Sequence, residues 1–329
     1  MMNIALVGFG YWGPNVARNI NANPNLKLHT ICDMIESNIE KAKSIYIETV
    51  NYDANYENIL NNVNINAVAI ATNTGTHYKL IKAALENNKH VYVEKPFTST
   101  IEEALELEAL AKEKNLIIHI DHIMIFHPAI KKIKEIISNG ELGDILYIDA
   151  TRTSLGQIRK DVSSMWDLAV HDLSIIDYLM DGVFPKQIKS FGEKIYNPKE
   201  SITFLTLKYD NFFAQIESNW ISPIKDRKLT IVGTKKMLVY DDVKLSEKLV
   251  VYNKNVEVLK GDDIYSDDYC VKTNELDAYI PKIEVEDALF NSIEHFRLSV
   301  VNKTESFSNP VQAIRIQEIL TMADNNMNK

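Results

Sequence analysis

Six consecutive residues near the start of the chain, Gly8-Phe9-Gly10-Tyr11-Trp12-Gly13, constrain the fold more than any other stretch. They follow an apolar run over residues 3–7 and precede a helical pattern over 14–22, the setting that gives Gly-x-Gly-x-x-Gly a physical meaning. The first glycine makes the tight turn, the second lets the backbone approach a pyrophosphate, and the third lets the helix pack closely on the strand. Pro14 sits in the first helical turn, where its missing N–H costs nothing. The exposed amides and the helix dipole then favour an anion at that end. The whole chain of 329 residues holds only 11 glycines, so three within six positions do not arise from composition.

Beyond this turn, strand-like runs at 27–32, 67–71, 90–93 and 116–120 alternate with helical patterns at 35–45, 56–60, 77–87 and 101–114. Such alternation implies crossover connections and a parallel sheet. Thr100 and Glu103 have the spacing of a capping box for the last of these helices. After residue 122 the rhythm changes. A helix over 128–138 stops at Asn139-Gly140, a strand covers 145–153, and a helix covers 168–180. Strands at 202–209, 212–220, 228–232, 237–240 and 249–252 follow, with Asp210-Asn211 as a hairpin turn. Helices over 284–301 and 310–323 close the chain, and 325–329 are expected to fray. The expected architecture is an α/β Rossmann domain (a doubly wound parallel sheet) over 1–121. An α+β domain with a large, open, mostly antiparallel sheet over 122–329 completes it, for substrate binding and oligomerisation.

Composition narrows the function classes. A chain that is 46% hydrophobic and 25% charged is an ordinary globular protein. A net charge of -9 argues against a nucleic-acid partner. No apolar run reaches the roughly 18 residues that span a bilayer, and the N-terminus lacks a signal peptide's basic region, so a cytoplasmic protein without a membrane partner is expected. Cys32 and Cys270 form no disulfide framework or zinc spacing.

Several residues carry chemistry. Asp33 ends the second strand 20 residues beyond Gly13, where a carboxylate accepts hydrogen bonds from a ribose diol and repels a 2′-phosphate. NAD is therefore expected over NADP. Thr72-Asn73, with His77 further on, and Glu94-Lys95-Pro96 fall at the carboxyl ends of two more parallel strands, the edge where open α/β sheets bind ligands. The expected cofactor set is Gly8, Phe9, Gly10, Tyr11, Trp12, Gly13, Asp33, Thr72, Asn73, His77, Glu94 and Lys95. Lys95 suits stabilisation of a developing alkoxide. Asp167 and His171 are four apart and share a helix face, and His171 has the side chain best suited to acid–base work near neutral pH. Arg152, Arg159 and Lys160 precede that helix and suit a carboxylate or diphosphate on the substrate. His119-Ile120-Asp121-His122 looks metal-like, but strand alternation sends His122 to the opposite face from the other two, so no metal is expected. Tyr11-Trp12 reads as packing around the turn rather than as a stacking platform.

Taken in order, Gly8-x-Gly10-x-x-Gly13, Ala71-Thr72, Glu94-Lys95-Pro96 and Asp167-x-x-x-His171 resemble the glucose–fructose oxidoreductase / inositol dehydrogenase (Gfo/Idh/MocA) family. The resemblance implies that Lys95, Asp167 and His171 are catalytic, that Lys95-Pro96 is a cis peptide, and that hydride passes between a sugar carbon and NAD. His122-x-x-x-Phe126-His127-Pro128, the 155–162 segment with Asp161, and the run from Trp166 to Ser174 resemble the nucleotide-sugar 3-dehydrogenase branch of surface-polysaccharide pathways. The sequence departs from its relatives at Asp121, where glycine is common, and at Asn73 and Val170, where proline is common. The expected activity is NAD-dependent oxidation or ketoreduction, at C3, of a nucleotide-linked amino sugar or uronic acid, in a homodimer or homotetramer built through the C-terminal sheet. The alternatives are oxidation of inositol or a free sugar, and a non-catalytic dinucleotide-binding regulator.

Overall fold

The strands around the glycine turn are apolar on both sides, as buried parallel strands must be. In a computed structural model describing residues 1–46, 50–156, 158–160, 162–260 and 269–327, the chain alternates as the spacing predicts. β1 (Met2–Val7), α1 (Gly13–Ala22), β2 (Leu26–Cys32), α2 (Glu36–Ile45), β3 (Asn51–Asp53), α3 (Tyr56–Asn61) and β4 (Ala67–Ile70) come first. α4 (Thr74–Glu86), β5 (His90–Val93), α5 (Ile101–Lys114) and β6 (Ile118–Ile120) follow. The six strands form one parallel sheet in the order β3-β2-β1-β4-β5-β6. Its strand order reverses between β1 and β4, which places the glycine turn at the switch point.

Two apolar cores cover the sheet. One packs Val7, Val68 and Val91 with Ile81 of α4 and Leu107 of α5. The other packs Leu6 and Tyr92 with Val16 and Ile20 of α1. Thr100 accepts from the Glu103 amide and the Glu103 carboxylate accepts from the Thr100 amide, the expected capping box.

After a 3₁₀ turn at Ile123–Phe126 come α6 (Pro128–Ser138), β7 (Ile145–Leu155), a π-helical turn at Met165–Ala169 and α7 (Val170–Leu179). β8 (Gln187–Glu193), β9 (Ile202–Lys208), β10 (Phe213–Asn219), β11 (Ile221–Gly233), β12 (Met237–Asp241), β13 (Leu249–Lys260) and β14 (Cys270–Tyr279) lead to α8 (Ala288–Asn302) and α9 (Pro310–Met327). The second sheet runs β14-β13-β12-β11-β7-β10-β9-β8 and is antiparallel except between β7 and β10. The Asp210-Asn211 hairpin joins β9 and β10 in register, with Phe213 opposite Lys208.

The chain divides into a unit of residues 1–127 and 286–317, and a unit of 128–285 and 318–329. The expected boundary at 121/122 is therefore displaced to 127/128, because the 3₁₀ turn after β6 belongs with the first sheet. The chain also returns. Leu289, Ile293 and Phe296 of α8 complete the core around Tyr92. Helix α8 starts at Ala288 rather than 284 because Asp287 caps it, its carboxylate accepting from the Leu289 and Phe290 amides. Helix α9 continues to Met327, so residues 325–327 do not fray. β3 and β14 carry no clear strand pattern in the sequence. No helix among the described residues is long and apolar enough to cross a membrane.

Candidate active site

The first unit builds a turn shaped for a dinucleotide. Gly8 has φ +94°, and a Cβ there would lie 2.6 Å from the Ala71 carbonyl oxygen. A Cβ on Gly13 would lie 2.3 Å from the Gly8 carbonyl oxygen, which fixes how closely α1 meets the turn. Around Gly10 nothing lies within 4 Å of the corresponding position. Two glycines are thus demanded by the protein's own packing, and the third faces open space, where an outside group can approach. No side chain caps α1 and no acidic residue occupies its first turn, so its amides remain electropositive. This cradle fits a pyrophosphate.

Asp33 stands at the end of β2. Its Oδ2 accepts from the Phe9 amide at 2.6 Å and from Asn38 Nδ2 at 3.0 Å, and its Oδ1 from the Ile35 amide at 2.8 Å. The carboxylate is held against the glycine turn while remaining partly exposed. Phe9 contributes through its backbone, since its ring is wholly buried against Tyr46. Tyr11 is 93% exposed, whereas Trp12 packs onto the core. Met34 and Ile35, immediately after Asp33, are two large apolar side chains left exposed.

Thr72 and Thr76 bond through their hydroxyls at 2.8 Å, and Asn73 precedes α4 as its N-cap. His77 requires a correction. It was expected to meet the cofactor, but it is buried, with Nδ1 3.0 Å from the Pro96 carbonyl oxygen and Nε2 3.2 Å from that of Thr72. It ties the two strand-end loops together. Burial draws its pKa below the ordinary histidine value, and the surrounding carbonyls oppose that shift. Lys95-Pro96 is a cis peptide. Glu94 has Oε1 sealed from solvent with no hydrogen-bond partner. Burial, and then the neighbouring Asp121 charge, push its pKa well above the carboxylate range.

The second unit assembles the other predicted groups. Asp167 lies in the π-helical turn and His171 in the first turn of α7. A π turn is an uncommon local geometry that recurs at functional sites. The Asp167 carboxylate accepts from Arg159 at 3.4 Å and from the Trp220 indole N–H at 3.3 Å. Trp166 donates its indole N–H to Asp324 of α9 at 2.6 Å, anchoring the turn from its other side. Burial raises the Asp324 pKa and the Trp166 bond opposes it. Neither Trp220 nor Asp324 has a local sequence signal, because each meets the turn across 53 or 158 residues.

Of the three expected substrate cations, Arg159 and Lys160 are exposed. Arg152 is corrected. Its guanidinium forks onto Asp172 at 2.9 and 2.8 Å, and both side chains are buried. A guanidinium held this way is engaged inside the fold and is not offered to a substrate. Asp161 lies outside the described residues. His119 shares hydrogen bonds with Ser292 and Ser306, and His122, beyond the end of β6, with Gln312 and Ser308. Both cysteines are free.

Comparison with known proteins covers both parts of the chain. Residues 2–122 match the model of an oxidoreductase family with an NAD-binding Rossmann fold, and residues 130–239 match the GFO/IDH/MocA C-terminal domain. The scyllo-inositol 2-dehydrogenase (NAD(+)) of Bacillus subtilis is 29% identical over 247 residues, 70% of this chain and 71% of that one. The UDP-N-acetylglucosamine 3-dehydrogenase of Acidithiobacillus ferrooxidans is 26% identical over 212 residues, 64% of each chain. A protein from gentamicin A biosynthesis, solved in complex with NAD, shares the fold with a TM-score of 0.81 at 16% identity, covering 100% of this chain and 94% of its own. With both of its domain models matched in order and a turn shaped for the dinucleotide, the chain belongs to the GFO/IDH/MocA oxidoreductases.

Proposed function

We propose that this oxidoreductase is an NAD-dependent 3-dehydrogenase, or 3-ketoreductase in the reverse direction, acting on a nucleotide-linked amino sugar or uronic acid in surface-polysaccharide synthesis. The observation that carries the substrate class is the exposed pair Arg159 and Lys160, eight and seven residues before Asp167, with the Arg159 guanidinium already on that carboxylate. Two cations at the approach to a catalytic turn suit a diphosphate or a uronate, and have no use with a neutral polyol. A UDP-sugar 3-dehydrogenase among the relatives supports the same reading.

Bound NAD supplies the hydride acceptor, held by the amides at Gly10 and the α1 N-terminus, by Asp33 on the ribose, and by Thr72 and Asn73 at the next strand end. Lys95 holds the substrate oxygen and offsets its charge as the carbonyl forms. His171 takes the hydroxyl proton in oxidation and returns it in reduction. Asp167 orients the reacting hydroxyl or His171. His77 acts at one remove, fixing the loops that carry Thr72 and Lys95.

The C-terminal sheet is the proposed oligomer surface. Phe191 and Phe204 face each other across β8 and β9, 73% and 40% exposed, and Phe213 stacks on Tyr147. Exposed aromatic side chains gathered on one sheet face support this reading.

The test is a panel of UDP- and dTDP-sugars, free sugars and inositols assayed with NAD. Turnover of a nucleotide sugar supports the proposal. Turnover of free inositol alone replaces it with the second reading, which the inositol dehydrogenase relatives favour. A His171→Ala variant that retains biological function would instead indicate a non-catalytic regulator.

A further inference from the structure

β10 and β11 lie on opposite sides of β7, and a single residue, Trp220, carries the chain from one to the other across the end of β7. Its carbonyl accepts from the Gly156 amide, just beyond β7, at 3.0 Å, and its amide donates to the Ser201 carbonyl, just before β9, at 3.0 Å. The side chain is 2% exposed. Backbone bonds on both sides and close burial hold the indole in place. A buried indole N–H needs an acceptor, and Asp167 Oδ2 provides one at 3.3 Å.

The turn that carries Asp167 is pinned to the same part of the sheet. Ser164 is wholly buried; its hydroxyl bonds to that of Thr203 and to the Ser218 carbonyl, each at 3.1 Å, and its amide donates to the Glu200 carbonyl at 2.9 Å. Trp166 donates its indole N–H to Asp324 at 2.6 Å. These bonds fix the backbone of the turn and leave the rotation of the Asp167 carboxylate to the groups that meet it. Arg159 meets Oδ1 at 3.4 Å from a side chain that is 46% exposed, and an ion pair so open to water is readily exchanged for an incoming anion. Trp220 meets Oδ2 from inside the fold, where no ligand can draw it away.

We infer that Trp220 is a positioning residue for Asp167, its indole N–H holding Oδ2 so that the carboxylate keeps one orientation when Arg159 turns to an anionic substrate. The inference rests on the role given to Asp167 under the proposed function, where that carboxylate orients the reacting hydroxyl or His171. An orienting group is only as exact as the bonds that orient it, and small misplacements at a reacting centre are costly. A carboxylate that loses its buried anchor spends part of its time turned away. Such a fault appears in kcat, since it touches the reacting atoms, and hardly in KM, since it leaves the binding of the rest of the substrate alone.

Two measurements on the whole chain separate positioning from packing. The sequence holds three tryptophans, so isotopic labelling of the indole nitrogens gives three N–H signals in NMR. That of Trp220 is the one kept in both Trp12→Phe and Trp166→Phe. Asp167→Ala, checked for folding by thermal unfolding, is expected to move it upfield, as an indole N–H does on losing a charged acceptor. An unmoved signal overturns the inference, whatever the substrate. The second measurement uses NAD and the sugar turned over fastest in the panel. Trp220→Phe removes the N–H and keeps a ring, and is expected to lower kcat about 10-fold while KM changes less than about 2-fold. In the Asp167→Ala background the same substitution should cost nothing further in kcat, because the group it positions is gone. Equal losses in both backgrounds overturn the inference and leave Trp220 a packing residue. If Trp220→Phe does not fold, the indole signal of the unaltered protein against that of Asp167→Ala decides. Absence of turnover with every sugar refutes the proposed function instead, and the indole signal still shows whether Trp220 holds Asp167.

Discussion

Two arginine–aspartate pairs lie seven and five residues apart in the second unit and have opposite environments. Arg152 and Asp172 are 8% and 5% exposed and meet in a two-pronged fork at 2.9 and 2.8 Å. Arg159 and Asp167 are 46% and 19% exposed and meet at 3.4 Å. The first pair joins β7 to α7 from inside and sets where the helix carrying His171 lies on its sheet. The second is loose and wet, as a cation must be if it is to exchange its carboxylate for an anionic ligand. Identical chemistry does structural work where water is excluded and, under the proposed function, recognition work where water is admitted.

The largest effect expected from this contrast is on stability. Asp172→Ala leaves a guanidinium buried without its anion, and the expected loss is about 3–5 kcal/mol in urea unfolding. Replacing both partners, Arg152→Met with Asp172→Leu, removes the stranded charge and should recover most of that loss. A double variant as unstable as Asp172→Ala would show that the fork's geometry, and not the stranded charge, is what α7 depends on.

Asp167→Asn tests the open pair from its acidic side. The amide keeps the size of the side chain but loses the charge facing Arg159 and the proposed reacting groups. Under the proposed function kcat should fall about 100-fold, near 2.7 kcal/mol of barrier, with unfolding shifted by less than about 1 kcal/mol. A loss of stability matching that of Asp172→Ala would erase the distinction between the two pairs.

How much of this was legible in the sequence follows the same division. The glycine turn, Asp33, Lys95 and His171 can be singled out in the sequence because the chemistry proposed for them depends on a few neighbours along the chain and on the element that carries them. The partner of Arg152 does not. Three cations within nine residues look alike in sequence, and only the fold buries one against α7 and leaves the others in water. His77 misled for the same reason, since a histidine near a cofactor strand reads as a ligand until its ring nitrogens are seen facing the Thr72 and Pro96 carbonyls. The return of α8 to the first unit was equally hidden, because an amphipathic pattern specifies that a helix has an apolar face and not which core receives it.

Arg159→Ala probes the open pair from its basic side. An exposed pair contributes about 0–1 kcal/mol, so stability should barely move. If Arg159 meets the anionic part of the substrate, KM for a nucleotide sugar should rise about 10-fold, near 1.4 kcal/mol, while KM for any neutral polyol turned over stays put. Equal changes for charged and neutral substrates would reduce Arg159 to an orienter of Asp167.

The smallest effect extends the contrast to the first unit, where the buried polar group is His77 and its partners are backbone carbonyls. Its folded pKa lies below the unfolded value of about 6.5, so the unfolded chain binds a proton that the native protein resists. Stability is then full above about pH 6.5 and declines as pH falls below it, by at most about 1.4 kcal/mol per pH unit for one histidine. The carbonyls at 3.0–3.3 Å oppose the shift, so the true slope should be shallower. His77→Gln removes the titrating ring and retains a donor for one carbonyl. Comparing urea unfolding at pH 7.5 and 5.5, the variant should lose less stability on acidification than the unaltered protein, whatever its stability at pH 7.5. Identical acid slopes would mean that the carbonyls fully offset burial, making His77 a neutral strut whose exposure to acid costs the fold nothing.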